Sequence, residues 1–360
     1  MCALFKPTAK LGKHGREAMK RIALAGTDGR TFAAARTISE QGHKGIIVRG
    51  TPGMKPWAEV MGYDIDFITT NGNDSMNYAN ALIEALRTKK IDGVFLMPEA
   101  LQFEGVTDLI IEAGYASKVV GLTSRTAMLI EGDKIACKHF CGEYDIPVCN
   151  SWSKVNAKDF PQVRELCLQY IAKFGGVVLK YPYSAGGKGA RVILNPWQIK
   201  PVYDQLMKDY VSDYQKMFPS TAWPLLVESW MAAIEISCVI FVDIFGHYQV
   251  LPTSMDYPER FPGPPGPHNP NTGGMAGLSP HPFENEEVME LVREFIAKPI
   301  IEGLKQKGMC RACILYPQGM LYLDGHGRPI VIRLCEINAR PPEPEFQPGC
   351  RLKTCRMTRK

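Results

Sequence analysis

Apolar residues fall along this chain in short runs separated by stretches of helical spacing, and the character of the alternation changes about a third of the way in. Arg21-Ile-Ala-Leu-Ala25 is a short apolar strand that runs into Gly26-Thr-Asp-Gly29-Arg30 and then an alanine-rich helix. Gly45-Ile-Ile-Val48, Gly93-Val-Phe-Leu-Met97 and Lys118-Val-Val-Gly121 repeat the strand signal, with a helical pattern between Met76 and Thr88. Strands alternating with helices predict an α/β unit with a doubly wound parallel sheet over residues 21–123. Residues 1–20 lack periodicity and read as an N-terminal extension.

From about residue 124 the pattern predicts a helix over 126–144, an extended Ile146-Pro-Val148 and a helix over 160–174. The strands Gly176-Val-Val-Leu-Lys180 and Ala190-Arg-Val-Ile-Leu194 flank a Gly-rich stretch, which predicts an antiparallel hairpin. Residues 223–251 alternate as two further strands. Pro258 to Pro282 reads as a long loop of the kind kept for function, and Ile330-Val-Ile-Arg-Leu334 is a late apolar strand. This second part is α+β in class.

Composition narrows the function classes. A net charge of +5, with basic residues scattered through the chain, gives no nucleic-acid stripe and suits small anionic ligands. No run of 18 apolar residues occurs, and Lys6, Lys10, Lys13, Arg16 and Lys20 break up the first turn of sequence where a signal core would sit, so a cytoplasmic protein with no membrane partner is expected. The 11 cysteines are odd in number and lie inside apolar runs, as reduced thiols do. Cys310 and Cys313 form a CxxC, but Cys350 and Cys355 have the wrong spacing to complete a common zinc ribbon.

Three stretches carry chemistry. Lys180, at a strand end, is followed by Ser184-Ala-Gly-Gly-Lys188-Gly189, where glycines let backbone N–H groups approach a polyphosphate and two lysines compensate its charge. It is not a Walker A loop, since a strand follows rather than a helix; read alone, it is also what a solvated hairpin looks like. Glu336, Asn338 and Arg340 alternate along an extended chain, offering two oxygen ligands and a guanidinium to one point, a set suited to Mg²⁺ carrying phosphates, though read alone it is also what a polar strand face at a sheet edge looks like. Glu228 and Glu235 bracket a strand connection that could wall a nucleotide pocket, or be ordinary surface acids. The Gly26–Arg30 turn fails the GxGxxG spacing, and Val48-Arg49-Gly50 supplies no acid where a dinucleotide site needs one.

Taken in order, these pieces resemble the phosphoribosylamine-glycine ligase family over residues 21–347. Gly26-Thr-Asp-Gly29-Arg30 resembles GxGGRE, Ile91-Asp92 through Pro98-Glu99-Ala100 resembles IDxxxxGPEAP, and Leu129-Ile-Glu-Gly-Asp-Lys134 resembles LExSK. Ala185-Gly-Gly-Lys188-Gly189 resembles AAGKG, and Val227-Glu228 through Glu235-Ile-Ser237 resembles EEFLxGEEAS. Pro270-Asn-Thr-Gly-Gly-Met-Ala-Gly-Leu-Ser-Pro280 is similar to PNTGGMGAYSP, Val250–Asp256 to VLPxATSQDHKR, and Glu336-Ile-Asn338-Ala-Arg340 onward to ExNxRFGDPETQ. Thr31 stands in place of Glu, Ala232-Ala233 in place of Asp-Gly, and Pro341-Pro342-Glu343 in place of Phe-Gly-Asp.

The resemblance implies an ATP-grasp fold over 124–347, with a small lid of about 148–227, behind a Rossmann-like domain; a short basic tail, 348–360, stands where the family has a C-terminal domain. It implies ligation of glycine to phosphoribosylamine through a glycyl phosphate, with ATP and Mg²⁺ or Mn²⁺, by a monomer or small homo-oligomer. The implied roles are Lys134, Lys180 and Lys188 on the ATP phosphates, Glu228 and Glu235 on adenine and ribose, and Glu336 and Asn338 on the metal. Arg340 and Lys188 would be catalytic, and Gly29, Arg30, Glu99, Asp256, Asn271, Thr272 and Gly273 would meet the substrates. The alternatives are a shortened ATP-binding homologue without activity, or an ATP-grasp ligase for another carboxylate and amine.

Overall fold

The computed structural model describes residues 18–70, 72, 74–183, 189–217, 219, 221–263, 265–266, 269 and 271–342. Five strands form the first sheet: β1 (Arg21–Ala25), β2 (Lys44–Val48), β3 (Ile65–Ile68), β4 (Gly93–Leu96) and β5 (Val119–Val120). They run parallel in the order β3-β2-β1-β4-β5. Helices bury both faces, which is why the central strands are near-continuous apolar runs. The order reverses beside β1, so the crevice outside the carboxyl ends of β1 and β4 is where such a sheet gathers ligand-binding groups. Asp28 caps the helix Gly29–Glu40 there by accepting from Thr31 N at 3.1 Å.

A four-stranded antiparallel sheet follows, built from β6 (Trp152–Asn156), β7 (Val177–Lys180), β8 (Ala190–Ile193) and β9 (Pro224–Ser229) in the order β6-β9-β7-β8. Its core is aromatic: Tyr181 stacks on Tyr214 at 4.1 Å and Tyr210 on Trp223 at 4.9 Å, and the Tyr210 hydroxyl donates to Pro224 O. The remaining strands are β10 (Ile234–Ser237), β11 (Ile240–Val242), β12 (Tyr248–Val250), β13 (Ser254–Glu259), β14 (Asn271–Leu278), β15 (Cys313–Leu323) and β16 (Pro329–Asn338). They make one seven-stranded sheet in which β15 lies at the centre, against β10 and β11 on one edge and β16 on the other. The helix Lys134–Glu143 and the helical run 286–306 cover its core.

Three expectations are corrected. The long loop at 258–282 is largely the hairpin of β13 and β14, whose Gly and Pro content conceals the pairing. Residues 223–251 make four strands, not two, because the chain passes from the smaller sheet to the larger one at 230–233 and its pairing along β15 is interrupted at 238–239. The helix over 126–144 is broken: Ser124–Ala127 opens into a π turn at Met128–Gly132, Asp133 is extended, and a new helix starts at Lys134. Asp133 causes the break, since its side chain caps the new helix through Ile135 N and Ala136 N while its backbone bridges Tyr183. All eight cysteines among the described residues are free thiols. Among the described residues no helix is long and apolar enough to cross a membrane.

Candidate active site

The carboxyl-end crevice of the parallel sheet, the base of the β7–β8 hairpin and the end of β16 meet at one place. Tyr181 N donates to Gly189 O at 2.8 Å, closing the base of the glycine-rich loop, and Lys134 N donates to Pro182 O at 2.7 Å, anchoring the helix start beside it. Lys134, Lys138, Lys180, Glu228 and Glu336 line a single narrow pocket. Lys134 Nζ lies 3.5 Å from Glu336 Oε2.

Glu228 lies beneath this pocket. It pairs across the sheet with Val178, so Lys180, two residues on, is its diagonal neighbour on the same face. One oxygen meets Lys180 Nζ at 2.6 Å and the other meets Lys138 Nζ at 2.7 Å, with Glu228 only 2% and Lys138 only 4% exposed. Burial works against the carboxylate, but the two ammoniums outweigh it and hold Glu228 down at about 2. Burial likewise opposes both lysine charges, and Glu228 outweighs it to raise both. Lys138 was not anticipated from sequence; its signal is the spacing of four from Lys134, which places both on one helical face.

On β16 the plain alternation expected from Ile330 to Arg340 is interrupted. Gln318 pairs with Glu336 and Gly319 with Leu334, which leaves Cys335 as the extra residue of a bulge. The bulge re-aims Glu336 into the pocket. Asn338, paired with Tyr316, donates through Nδ2 to Tyr316 O at 3.1 Å, which leaves Oδ1 as its oxygen ligand atom. Burial raises Glu336, but Lys134, Lys180 and Arg340 together bring it below the usual carboxylate value.

Glu235 sits on β10 beside the same cluster. Burial, followed by the negative charges of Asp256, Glu336 and Glu259, pushes its carboxyl up to about 8. Asp256 is also raised by burial, against hydrogen bonds from Ser237, Tyr316 and Gln318. Among the described residues no three His, Cys, Asp or Glu side chains form a ready metal cage. The oxygen-only donors Glu336 and Asn338, with an excess of carboxyl charge beside them, fit a hard divalent cation that keeps most of its ligands for phosphate and water.

Arg340, just past β16, meets Glu99 Oε2 at 3.0 Å and Glu131 Oε1 at 3.3 Å through Nε. Arg30 is 6% exposed and is held by Asp28 through Nε at 2.9 Å and Nη2 at 2.6 Å, with Glu99 at 3.7 Å. Gly29 opens the helix beside it. In the hairpin, Asn271 pairs with Glu259, Thr272 Oγ1 donates to Pro258 O at 2.9 Å, and Gly273 continues β14. Lys188 lies outside the described residues. Glu131 and Gln102, both in contact with the β16 end, were not singled out as site residues from the sequence.

The model of the phosphoribosylglycinamide synthetase ATP-grasp (A) domain matches residues 132–346. The chain belongs to this family. As an ATP-grasp domain it is 31% identical, over 270 residues, to the phosphoribosylamine-glycine ligase of Salmonella typhi, covering 74% of this chain and 57% of that protein. It is 29% identical to the enzyme of that name from Listeria monocytogenes over 330 residues, covering 91% of this chain and 70% of the relative. The Caldanaerobacter subterraneus ligase matches at 29% over 275 residues, 76% of this chain and 60% of the relative. The chain thus spans about 60% of the length of several curated relatives it matches.

Solved structures agree on the fold. The Thermotoga maritima phosphoribosylamine-glycine ligase superposes with a TM-score of 0.64 at 22% identity, covering 90% of this chain and 70% of that one. The biotin carboxylase domain of Hydrogenobacter thermophilus 2-oxoglutarate carboxylase, solved with magnesium ADP and bicarbonate, superposes at 0.62 with 16% identity, covering 91% and 65%.

Proposed function

We propose that this ATP-grasp domain is an ATP-dependent carboxylate-amine ligase that joins glycine to phosphoribosylamine. The observation that carries the reading is the convergence of Lys134 and Lys180 with Glu336 on one pocket, cations for a polyphosphate beside oxygen donors for its cation. Family membership and the names of the relatives support the choice of substrates.

In this reading Lys134 and Lys180 neutralise the ATP phosphates, and Glu228 with Lys138 holds Lys180 charged and in place. Glu235 accepts from the ribose hydroxyls, so it takes over the nucleotide contact that the buried Glu228 is too enclosed to share. Glu336 and Asn338 Oδ1 would hold Mg²⁺ or Mn²⁺, which, when bound, neutralises the phosphate oxygens. The γ-phosphoryl passes to a glycine carboxylate oxygen, ADP leaves, and the amine attacks the acyl carbon, expelling phosphate and losing a proton. Arg340 steadies the acyl-phosphate oxygens with paired N–H donors. Catalysis of this kind is positioning and charge stabilisation, so no side-chain nucleophile is needed. Gly29, Arg30 and Glu99 border the crevice where the amine would enter, with Asp256 of β13 and Asn271, Thr272 and Gly273 at the start of β14 contributed by the hairpin.

The test is phosphate release from Mg-ATP by the purified chain, with glycine and freshly generated phosphoribosylamine together and with each omitted. Release that requires both supports the reading. Nucleotide binding with no release under any combination refutes it and leaves an ATP-binding homologue; release with another carboxylate reassigns the substrate.

A further inference from the structure

The segment after β16 is gripped residue by residue from three distant parts of the chain. Gln102 Nε2 donates to Ala339 O at 2.5 Å, and its Oε1 accepts from Leu122 N at 2.6 Å. Arg30 Nη1 donates to Pro341 O at 3.4 Å. Glu131 does two things at once: Oε2 accepts from Ala339 N at 2.6 Å, and Oε1 faces Arg340 Nε at 3.3 Å. Its side chain is 5% exposed and enters from the π turn at Met128–Gly132, a local widening of the helix of the sort found at functional sites.

A neutral amide could satisfy Ala339 N equally well. Burial pushes the Glu131 carboxyl up to about 7, and Arg340 is the largest influence pulling it back, so what a carboxylate adds over an amide here is its bond to the Arg340 guanidinium. A guanidinium carries its five donors in one rigid plane, so fixing Nε and the adjoining backbone fixes where the two terminal nitrogens lie. Glu99 shares Nε but does not touch the backbone by any bond seen here; only Glu131 ties the side chain to the peptide that carries it.

We propose that Glu131 is a positioning residue for the ligase reaction, setting the plane of the Arg340 guanidinium by bonding Ala339 N and Arg340 Nε through one carboxylate. The inference rests on the role given to Arg340 above. It extends that role to a residue in the π turn just before the helix that starts at Lys134, so the phosphate lysine and the acyl-phosphate arginine are placed by neighbouring stretches of chain.

The experiment is a double-mutant cycle in steady-state phosphate release, using the full chain with Mg-ATP, glycine and phosphoribosylamine. Glu131→Gln keeps the acceptor for Ala339 N and removes the carboxylate that faces Arg340 Nε. The expected result is a fall in kcat of about tenfold, with KM for ATP within about twofold. In an Arg340→Met background the same change is expected to cost less than about twofold, because the residue it acts through is gone. Equal costs in both backgrounds, or a change in KM for ATP alone, would overturn the positioning role while leaving the function of Arg340 standing. An Arg340→Met variant at full rate would overturn both. Thermal melting of Glu131→Gln within a few degrees of the parent accompanies the expected result; a large drop with no kcat effect in the folded fraction marks a purely structural staple and refutes the proposal.

Discussion

Replacing Glu228 with Gln removes the carboxylate that bridges two enclosed ammoniums, Lys138 and Lys180, that lie 2.7 and 2.6 Å from its oxygens. A carboxyl held from 4.5 down to about 2 contributes about 3 kcal/mol at neutral pH. Removing one partner of a buried pair costs about 3–5 kcal/mol, because the other charge stays behind unmatched, and here two stay behind. For a folding unit of some 200 residues, about 3 kcal/mol lowers Tm by roughly 6–12 °C. Because the folded-state value is depressed, the contribution is present above the unfolded value and disappears as pH falls from about 5 towards 2. The assay is differential scanning calorimetry of parent and Glu228→Gln from pH 7 down to pH 3. The gap should be widest at pH 7 and narrow as the pH drops. Adding Lys138→Met to Glu228→Gln should recover part of the loss by removing one orphaned charge. A Tm within about 2 °C of the parent at pH 7, or a gap that does not shrink in acid, would refute the reasoning that the triad is held together by charge.

Gly303→Ala adds a Cβ that would sit 2.7 Å from a Tyr144 ring carbon and 2.8 Å from Phe140, so it should destabilise by about 1–3 kcal/mol in urea titration despite the better helix former. Lys134→Met should weaken ATP binding about tenfold by calorimetry while leaving the melt unchanged, since the charges of Lys180 and Arg340 still act on its partner Glu336. Glu235, with a carboxyl raised to about 8, favours the folded state fully only below the unfolded value of 4.5, and that preference is lost as pH rises towards 8. In EDTA the parent should therefore lose stability across that window while Glu235→Gln stays level; parallel curves would show that the crowding of acids around Glu235 is not felt.

What was legible in the sequence follows from how local its cause is. β1, β2 and β4 announce themselves because burial on both faces demands unbroken apolar runs. The pair Glu336 and Asn338 was readable because a two-residue spacing on a strand keeps one face, even though the bulge at Cys335 shifted the register before it. β13 and β14 were hidden, since a hairpin rich in Gly and Pro carries no alternation. β15, at the centre of the large sheet, went unread because Pro317 and Gly319 interrupt an otherwise alternating run.

The residues missed at the site share a different cause. Lys138 finds its partner 90 residues away on β9, and Gln102 and Glu131 find theirs 237 and 208 residues away beyond β16. Nothing in the immediate neighbourhood of a buried Gln or Glu states what it must bond. The accounting does: Ala339 sits between three elements with its N–H and C=O both inside the protein, and each needs a partner that the sheet, which ends at Asn338, does not provide. A side chain had to cross from each neighbouring unit to meet that demand. The one that came from the π turn at Met128–Gly132 had reason to be acidic, because the next residue along is an arginine with its own charge to match. Backbone satisfaction and side-chain pairing thus converge on Glu131, and the residue best placed to set the geometry of the site is one whose identity is dictated by the far end of the domain.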